Sequence, residues 1–240
     1  MRPPALGAGE AGTLIGLYLL LNCLVLWVVA RASSASGWRL VLMLFLLGFV
    51  VGSANNLIEA LFFGVLPPRE IAAAAVPAAI IFAILAPVAV LFAGRWTSAG
   101  GGAVPEAAGF TPLTLLALVI AYELLYWTAG TLVYPYIADF YAARTIPPAY
   151  LVAAVQIPRS LIFVWAVYPL LKSGLRGAPL VLALAYGVIG GVAPLLPDNP
   201  YMPADIRFYH AIETSVSNVI FGLVVGLLFT RGRQAVPAQA

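Results

Sequence analysis

Seven long apolar stretches follow one another along the chain, and short segments rich in proline and charged residues separate them. A hydrocarbon core about 30 Å thick is crossed by roughly 20 apolar helical residues, and each stretch has about this length. The pattern therefore predicts an all-α, polytopic transmembrane helix bundle of about seven spans, with six as the lower count. The predicted spans are residues 13–30, 39–63, 71–93, 112–134, 149–171, 178–196 and 206–230.

Local signals support several of these boundaries. Thr111-Pro112 is typical of an N-cap followed by proline at the first helical position. Pro147-Pro148 ends one element before the next begins. The sixth span is the weakest of the seven, because Gly190-Gly191 and Pro194 interrupt its 19 residues.

Composition sets the class of protein. The chain is 63% hydrophobic and only 9% charged, with a mean hydropathy of +1.02, which excludes a soluble or disordered chain. We expect a single membrane domain over residues 1–240, with the segment 97–109 as a flexible connector. The net charge of +3 comes from scattered arginines, so we expect no nucleic-acid partner. Cys23 is the lone cysteine and forms no disulfide within the chain.

The loop Lys and Arg residues divide unequally between the two sides of the predicted bundle. Seven lie on one side, and four, with five acidic residues, on the other. The positive-inside rule assigns the first side to the cytoplasm, which predicts an outer N-terminus, a cytoplasmic C-terminus and a bacterial plasma (inner) membrane location. The first side holds Arg31, Arg39, Arg95, Lys172, Arg176, Arg231 and Arg233; the second holds Arg2, Arg69, Arg144 and Arg207 with Glu10, Glu70, Asp139, Asp198 and Asp205.

Polar residues inside the spans are the candidates for function. An ionisable side chain at the centre of a membrane helix costs about 2.5–3.5 kcal/mol, so it needs a partner in the bundle or a hydrated cavity. Four spans carry such residues, namely Asn55, Asn56 and Glu59 in the second, Glu123 in the fourth, Gln156 and Arg159 in the fifth, and His210, Glu213, Thr214, Ser215, Ser217 and Asn218 in the seventh.

Orientation and spacing predict that these residues meet. With the topology above, all of them fall roughly in the outer half of the bilayer. Pairs three or four residues apart share a helix face, as do Asn55 with Glu59, Gln156 with Arg159, and His210 with Glu213. The partners available to the Arg159 guanidinium are Glu59, Glu123 and Glu213, among which the sequence does not choose.

Small and aromatic residues add two weaker expectations. The pairs Gly48/Gly52, Gly187/Gly191 and Gly222/Gly226 have the spacing that lets membrane helices approach closely, mainly within one chain, with a homo-oligomer or a membrane-complex partner as the alternative. The aromatic residues of the fourth span fall into two groups. Tyr122, Tyr126, Trp127 and Tyr134 are suited to line a cavity, and Tyr134, Tyr136, Phe140 and Tyr141 are typical of an interfacial belt.

The single histidine excludes several chemistries. An HExxH zinc site needs two histidines on one helix, and bis-histidine haem ligation needs two in the chain. The topology alone resembles that of microbial rhodopsins, but the only lysine, Lys172, lies at the end of the fifth span, where it cannot hold retinal inside the bundle. A metal held by His210, Glu213 and Glu59 is a weak alternative. We expect no metal and no cofactor.

Three functions fit this pattern. The leading hypothesis is an outward-facing intramembrane site for a small polar or ionic ligand, in transport or binding, formed by Glu59, Glu123, Arg159, His210, Glu213, Asn55 and Asn218. There Arg159 would hold an anionic group, and His210 would titrate near neutral pH. The second is an enzyme acting on a lipid or lipid-linked substrate at the outer leaflet, with His210 or Glu213 as the general base and Arg159 clamping the head group. The third is a structural or assembly subunit whose polar network only joins the helices.

Overall fold

Seven helices, each long and apolar enough to cross a membrane, make up most of the described part of the chain. This computed structural model describes residues 8–97, 109–142, 144, 146–199 and 201–230. The helices are α1 Ala8–Ala32, α2 Gly37–Phe62, α3 Pro68–Phe92, α4 Pro112–Ala142, α5 Ala149–Lys172, α6 Ala178–Leu195 and α7 Ala204–Thr230. Each predicted span coincides with one helix, so the prediction of an all-α chain with seven apolar helices is confirmed. Arg2, Arg231, Arg233 and most of the 97–109 connector lie outside the described residues.

Helix α4 begins where the sequence predicts but ends eight residues later than the predicted limit of 134. The Thr111 hydroxyl accepts a hydrogen bond from the Thr114 amide at 3.1 Å, as an N-cap side chain does. The helix then continues through Pro135 to Ala142. Proline inside a membrane helix is tolerated when neighbouring groups satisfy the freed backbone carbonyls. This extra length carries Tyr141 to the end of the bundle where the polar residues lie.

Two helices contain wide, π-helical turns at facing positions. Residues Leu47–Ala54 of α2 and Val188–Val192 of α6 adopt this geometry, and α6 ends in a short 3-10 turn at Ala193–Leu195. The distortion of α6 falls at Gly190, Gly191 and Pro194, as the sequence indicates, whereas that of α2 has no evident sequence signal. π-Helical turns occur often at functional sites, and Asn55 follows the one in α2 directly.

The glycine pairs bring helices together within the chain. A Cβ atom built on Gly226 would lie 2.3 Å from Pro179 Cα, and one on Gly222 would lie 2.4 Å from the Leu182 carbonyl oxygen. The pairs on α2 and α6 are equally crowded, because Gly48 meets Phe82 and Gly187 meets Val219. These glycines therefore allow close contact between α6 and α7 and between α2 and α3.

The connections between helices lie alternately at two ends of the bundle. We call the end with the α2–α3, α4–α5 and α6–α7 connections the site end. Here Arg207 Nη1 donates to Asp198 Oδ1 at 2.6 Å, and the Tyr201 hydroxyl donates to Glu70. At the opposite end, the Arg95 guanidinium donates to the carbonyls of Ser33 and Ala35. The Tyr201 and Arg95 contacts join separate connections, whereas the Arg207 contact holds the α6–α7 connection against the start of α7.

A cluster of aromatic rings fills the centre of the bundle. Phe163, Tyr186 and Phe221 are essentially inaccessible, and the Tyr186 hydroxyl donates to the Phe163 carbonyl at 2.7 Å. The Tyr122 ring lies 4.9 Å from that of Phe221. Many large apolar side chains elsewhere point outward, among them Leu113 and Leu180. An apolar exterior around a packed core is the surface that helices present to lipid.

Candidate functional site

A cavity of about 600 Å³ lies between α2, α4, α5 and α7 in the half of the bundle nearest the site end. Its volume is within the range of small-molecule sites, roughly 300–1,000 Å³. None of the described lining residues comes from α1 or α3. Among the described residues, the polar ones on its wall are Asn56, Glu59, Thr131, Arg159, His210, Glu213, Thr214, Ser217 and Asn218, besides several tyrosines. The four helices predicted to surround a polar site therefore do surround this cavity.

Arg159 is held by three side chains, and its guanidinium plane is fixed by them. Its Nε donates to Asn55 Oδ1 at 3.1 Å, its Nη1 to Gln156 Oε1 at 2.6 Å, and its Nη2 to Glu59 Oε2 at 2.7 Å. Only 4% of the Arg159 side chain is exposed, against 29% for Glu59. The pairs Asn55 with Glu59 and Gln156 with Arg159 share helix faces as predicted, and of the three candidate glutamates the structure pairs Glu59 with Arg159.

His210 lies between a carboxylate and a phenol. Its Nδ1 is 2.9 Å from Glu213 Oε2, and its Nε2 is 3.1 Å from the Tyr141 hydroxyl. A carboxylate only accepts hydrogen bonds, so Glu213 favours a proton on Nδ1. With that proton in place, the neutral ring accepts the Tyr141 proton at Nε2, and a charged ring donates to the Tyr141 oxygen.

The polar stripe of α7 faces the cavity along two turns of helix. The Thr214 hydroxyl donates to the His210 carbonyl at 2.6 Å, and the Ser217 hydroxyl donates to the Glu213 carbonyl at 2.8 Å. Asn218 Nδ2 donates to the Gly190 carbonyl at 3.0 Å, at the π-helical turn of α6. His210 and Glu213, three residues apart, thus lie on one face of α7, and Thr214 and Ser217 line the cavity beside them.

Glu123 does not lie with the polar residues of the cavity. Trp127 Nε1 donates to its Oε2 at 3.0 Å, one turn along the same helix, and Glu123 is not among the residues that line the cavity. The expectation that it meets Arg159 therefore differs from the structure. Both faces of α4 are apolar, so the sequence gives depth along the helix but not the direction in which this carboxylate points. Asn55 contacts Arg159 but likewise does not line the cavity.

Aromatic side chains cover much of the remaining wall. Tyr122, Tyr126, Trp127 and Tyr134, which the sequence groups as cavity-lining, all line it. Trp127 and Tyr134 are 39% and 49% exposed, so they lie at its opening on the α4 side. Because Trp127 is at the midpoint of α4, the opening runs from the site end to about the middle of the bundle.

A comparison with protein-family models, with curated proteins and with solved structures found no match for this chain. The site is therefore interpreted from its own geometry. Within the ranges that the structure describes, no three His, Cys, Asp or Glu side chains form a group that could hold a metal ion. His210, Glu213 and Glu59 accordingly do not form such a group.

Sequence reasoning missed the role of Tyr141. Its position at the end of an aromatic run is typical of an interfacial belt, yet its hydroxyl contacts His210. Tyr136, three residues into the same run, stacks on Tyr209 with ring centroids 5.0 Å apart. The signal that was available is the spacing of Tyr134 and Tyr141, since seven residues return to nearly the same face of a helix.

Proposed function

We propose that this chain is a multi-pass membrane protein with a site in the cavity for a small polar or ionic ligand, in transport or binding. In this proposal the site end faces outward, because the described basic residues Arg31, Arg39, Arg95, Lys172 and Arg176 belong to the opposite end. The observation that carries the proposal is the cavity itself, with two sets of ionisable groups on its wall.

The distribution of polar groups supports a hydrated site. His210 and Glu213 contact each other, and together with Thr214 and Ser217 they border the open volume of the cavity. In a dry bundle, the donors and acceptors of these side chains that have no protein partner would be buried unpaired, which costs free energy. Ionisable residues on a cavity wall in a membrane protein commonly mark a ligand or ion pathway.

A purely structural network accounts for only part of this arrangement. The contacts of Arg159 with Asn55, Gln156 and Glu59 would fix the register of α2 against α5 without any ligand. They do not account for an open volume bordered by a second ionisable set on α7. The ionisable pair on α7, His210 and Glu213, is therefore the part of the site that favours a ligand.

A lipid-directed enzyme is the second candidate, and one observation favours it. A histidine oriented by a carboxylate on one nitrogen, with a hydroxyl on the other, is an arrangement suited to a general base. The opening on the α4 side would admit a substrate from the bilayer. Under this alternative, H210A abolishes turnover while the ligand still binds, whereas a transport or binding protein has no turnover to lose.

Thiol labelling tests whether water fills the cavity. A thiol reacts with methanethiosulfonates as the thiolate, which forms only where water reaches it. In a C23A background, we expect a cysteine in place of Ser217 on the cavity wall to react at least about tenfold faster with 2-hydroxyethyl methanethiosulfonate than one in place of Ser160. Ser160 is the matched control because it is a fully buried serine on α5 outside the cavity. Equal, slow reaction of S217C and S160C would contradict the proposal.

A further inference from the structure

The charges around the cavity narrow the class of ligand, provided that the proposed binding function holds. Among the described residues, the ionisable ones on its wall, apart from tyrosines, are Glu59, Arg159, His210 and Glu213. The Arg159 guanidinium and the Glu59 carboxylate neutralise each other at 2.7 Å. Glu213 then leaves the wall with one net negative charge when His210 is neutral, and with none when His210 is protonated. In neither state does the cavity carry a net positive charge.

Arg159 is poorly placed to hold an anion. Three of its five N–H groups are engaged by Asn55, Gln156 and Glu59, and the side chain is almost fully buried. An anion on the remaining N–H groups would lie beside the Glu59 carboxylate, which already neutralises the guanidinium. The repulsion between two like charges at this distance opposes such a complex.

The Glu213 carboxylate is the negative group that remains for a ligand. A Cβ atom built on Gly130 of α4 would lie 3.4 Å from Glu213 Oε1, so this oxygen points across to the α4 wall. The absence of a side chain at Gly130 keeps space beside it. His210 contacts the other oxygen, Oε2.

The aromatic wall suits a cation that carries apolar groups. Seven Phe, Tyr and Trp residues of the described ranges line the cavity. The faces of such rings attract cations by about 0.5–2 kcal/mol each. Five of them come from α4, opposite Glu213. They are Tyr122, Tyr126, Trp127, Tyr134 and Tyr141, and Phe63 and Phe163 complete the set.

The site end of the bundle, around the cavity, also carries a net negative charge. Among the described residues beyond the cavity, the site end carries five acidic residues, Glu10, Glu70, Asp139, Asp198 and Asp205, and three basic ones, Arg69, Arg144 and Arg207. Arg207 pairs with Asp198, which leaves four acidic and two basic residues at this end. Fields of this kind raise the local concentration of ligands of opposite charge.

From these observations we infer that the ligand is a monovalent organic cation with apolar substituents, such as an alkylated or aromatic amine, held between Glu213 and the aromatic wall of α4. This differs from the sequence-based expectation that Arg159 holds an anionic ligand, because Arg159 forms an ion pair with Glu59 in the structure. No reaction of the ligand is part of the inference.

Protection of the Ser217 position from labelling tests the inference with defined probes. Benzyltrimethylammonium and benzenesulfonate share a phenyl ring and carry opposite charges. In the C23A/S217C protein in nanodiscs, we expect the cation to slow labelling by 2-hydroxyethyl methanethiosulfonate at least tenfold at a concentration where the anion changes it less than twofold. Protection by benzenesulfonate alone would overturn the cation assignment and leave the binding site standing, and protection by neither probe would also overturn it. A thiol at position 217 that does not react at all refutes the proposed function itself.

Two glutamates provide a matched pair of variants. E213Q removes the cavity carboxylate and is expected to reduce protection by benzyltrimethylammonium at least tenfold. E123Q removes a carboxylate from the same half of the bilayer but outside the cavity, and protection should change less than twofold. The variant G130L fills the space beside Glu213 without changing any charge, so it should abolish protection even if E213Q does not fold. Equal loss in E213Q and E123Q would contradict the inference.

Discussion

Replacing Glu59 by leucine is expected to destabilise the protein by about 3–5 kcal/mol, because the variant leaves the Arg159 guanidinium buried without its counter-ion. Arg159 is 4% exposed, and a leucine in the place of the carboxylate keeps most of the guanidinium out of contact with water. Asn55 and Gln156 still accept two of its hydrogen bonds but neutralise none of its charge. The measurement is the free energy of unfolding in bicelles titrated with a denaturing detergent.

Glu123 supplies the control for this experiment. E123L removes an equally charged residue whose contact is with Trp127 on the same helix, and we expect a change of less than about 1 kcal/mol. The double variant E59L/R159L replaces the whole ion pair by apolar side chains and should recover at least half of the loss, because the unpaired charge is gone. If E59L costs no more than E123L, Glu59 does not stabilise Arg159.

The largest expected packing effect lies on α7 at Gly226. G226A would bring a methyl group to 2.3 Å from Pro179 Cα, and a backbone atom cannot rotate away as a side chain can. Helices α6 and α7 must therefore separate, which we expect to cost about 3 kcal/mol. The same unfolding titration measures it, and G222A should behave alike, because its Cβ atom would meet the Leu182 carbonyl.

Gly16 on α1 is the matched control, since nothing lies within 4 Å of a Cβ atom built there. G16A should be neutral or stabilising by up to about 1 kcal/mol, because alanine favours a helix over glycine. Similar values for G226A and G16A would mean that α6 and α7 are not in close contact. A change of oligomeric state in G226A at unchanged unfolding free energy would instead assign the glycines to an interface between chains.

Hydropathy and spacing predict much of this architecture. A helix that crosses a hydrocarbon layer must be long and apolar. Both properties can be read directly from the sequence, so the seven apolar stretches predict the seven helices. Spacing also gives the shared faces of Asn55 with Glu59 and of His210 with Glu213, since helical periodicity is fixed. Depth along the helices then predicts which ionisable residues share one half of the bundle.

The sequence does not predict how each helix is rotated about its own axis. Glu123 sits at a depth similar to that of the cavity residues yet contacts Trp127 instead, because α4 is apolar on every face and its orientation depends on packing against α5 and α7. The choice of Glu59 as the partner of Arg159 depends on the same packing. The π-helical turn of α2 and the continuation of α4 through Pro135 are also settled by neighbouring helices rather than by local propensity.

The most direct test of the central claim is a high-resolution experimental map of the protein in lipid nanodiscs, without added ligand. The polar groups of α2, α5 and α7 should border a hydrated cavity of about 600 Å³, with Arg159 on Glu59 and His210 between Glu213 and Tyr141. Side chains that fill this volume, with His210 and Glu213 packed dry against α4, would contradict a ligand site and leave the polar residues as a structural network.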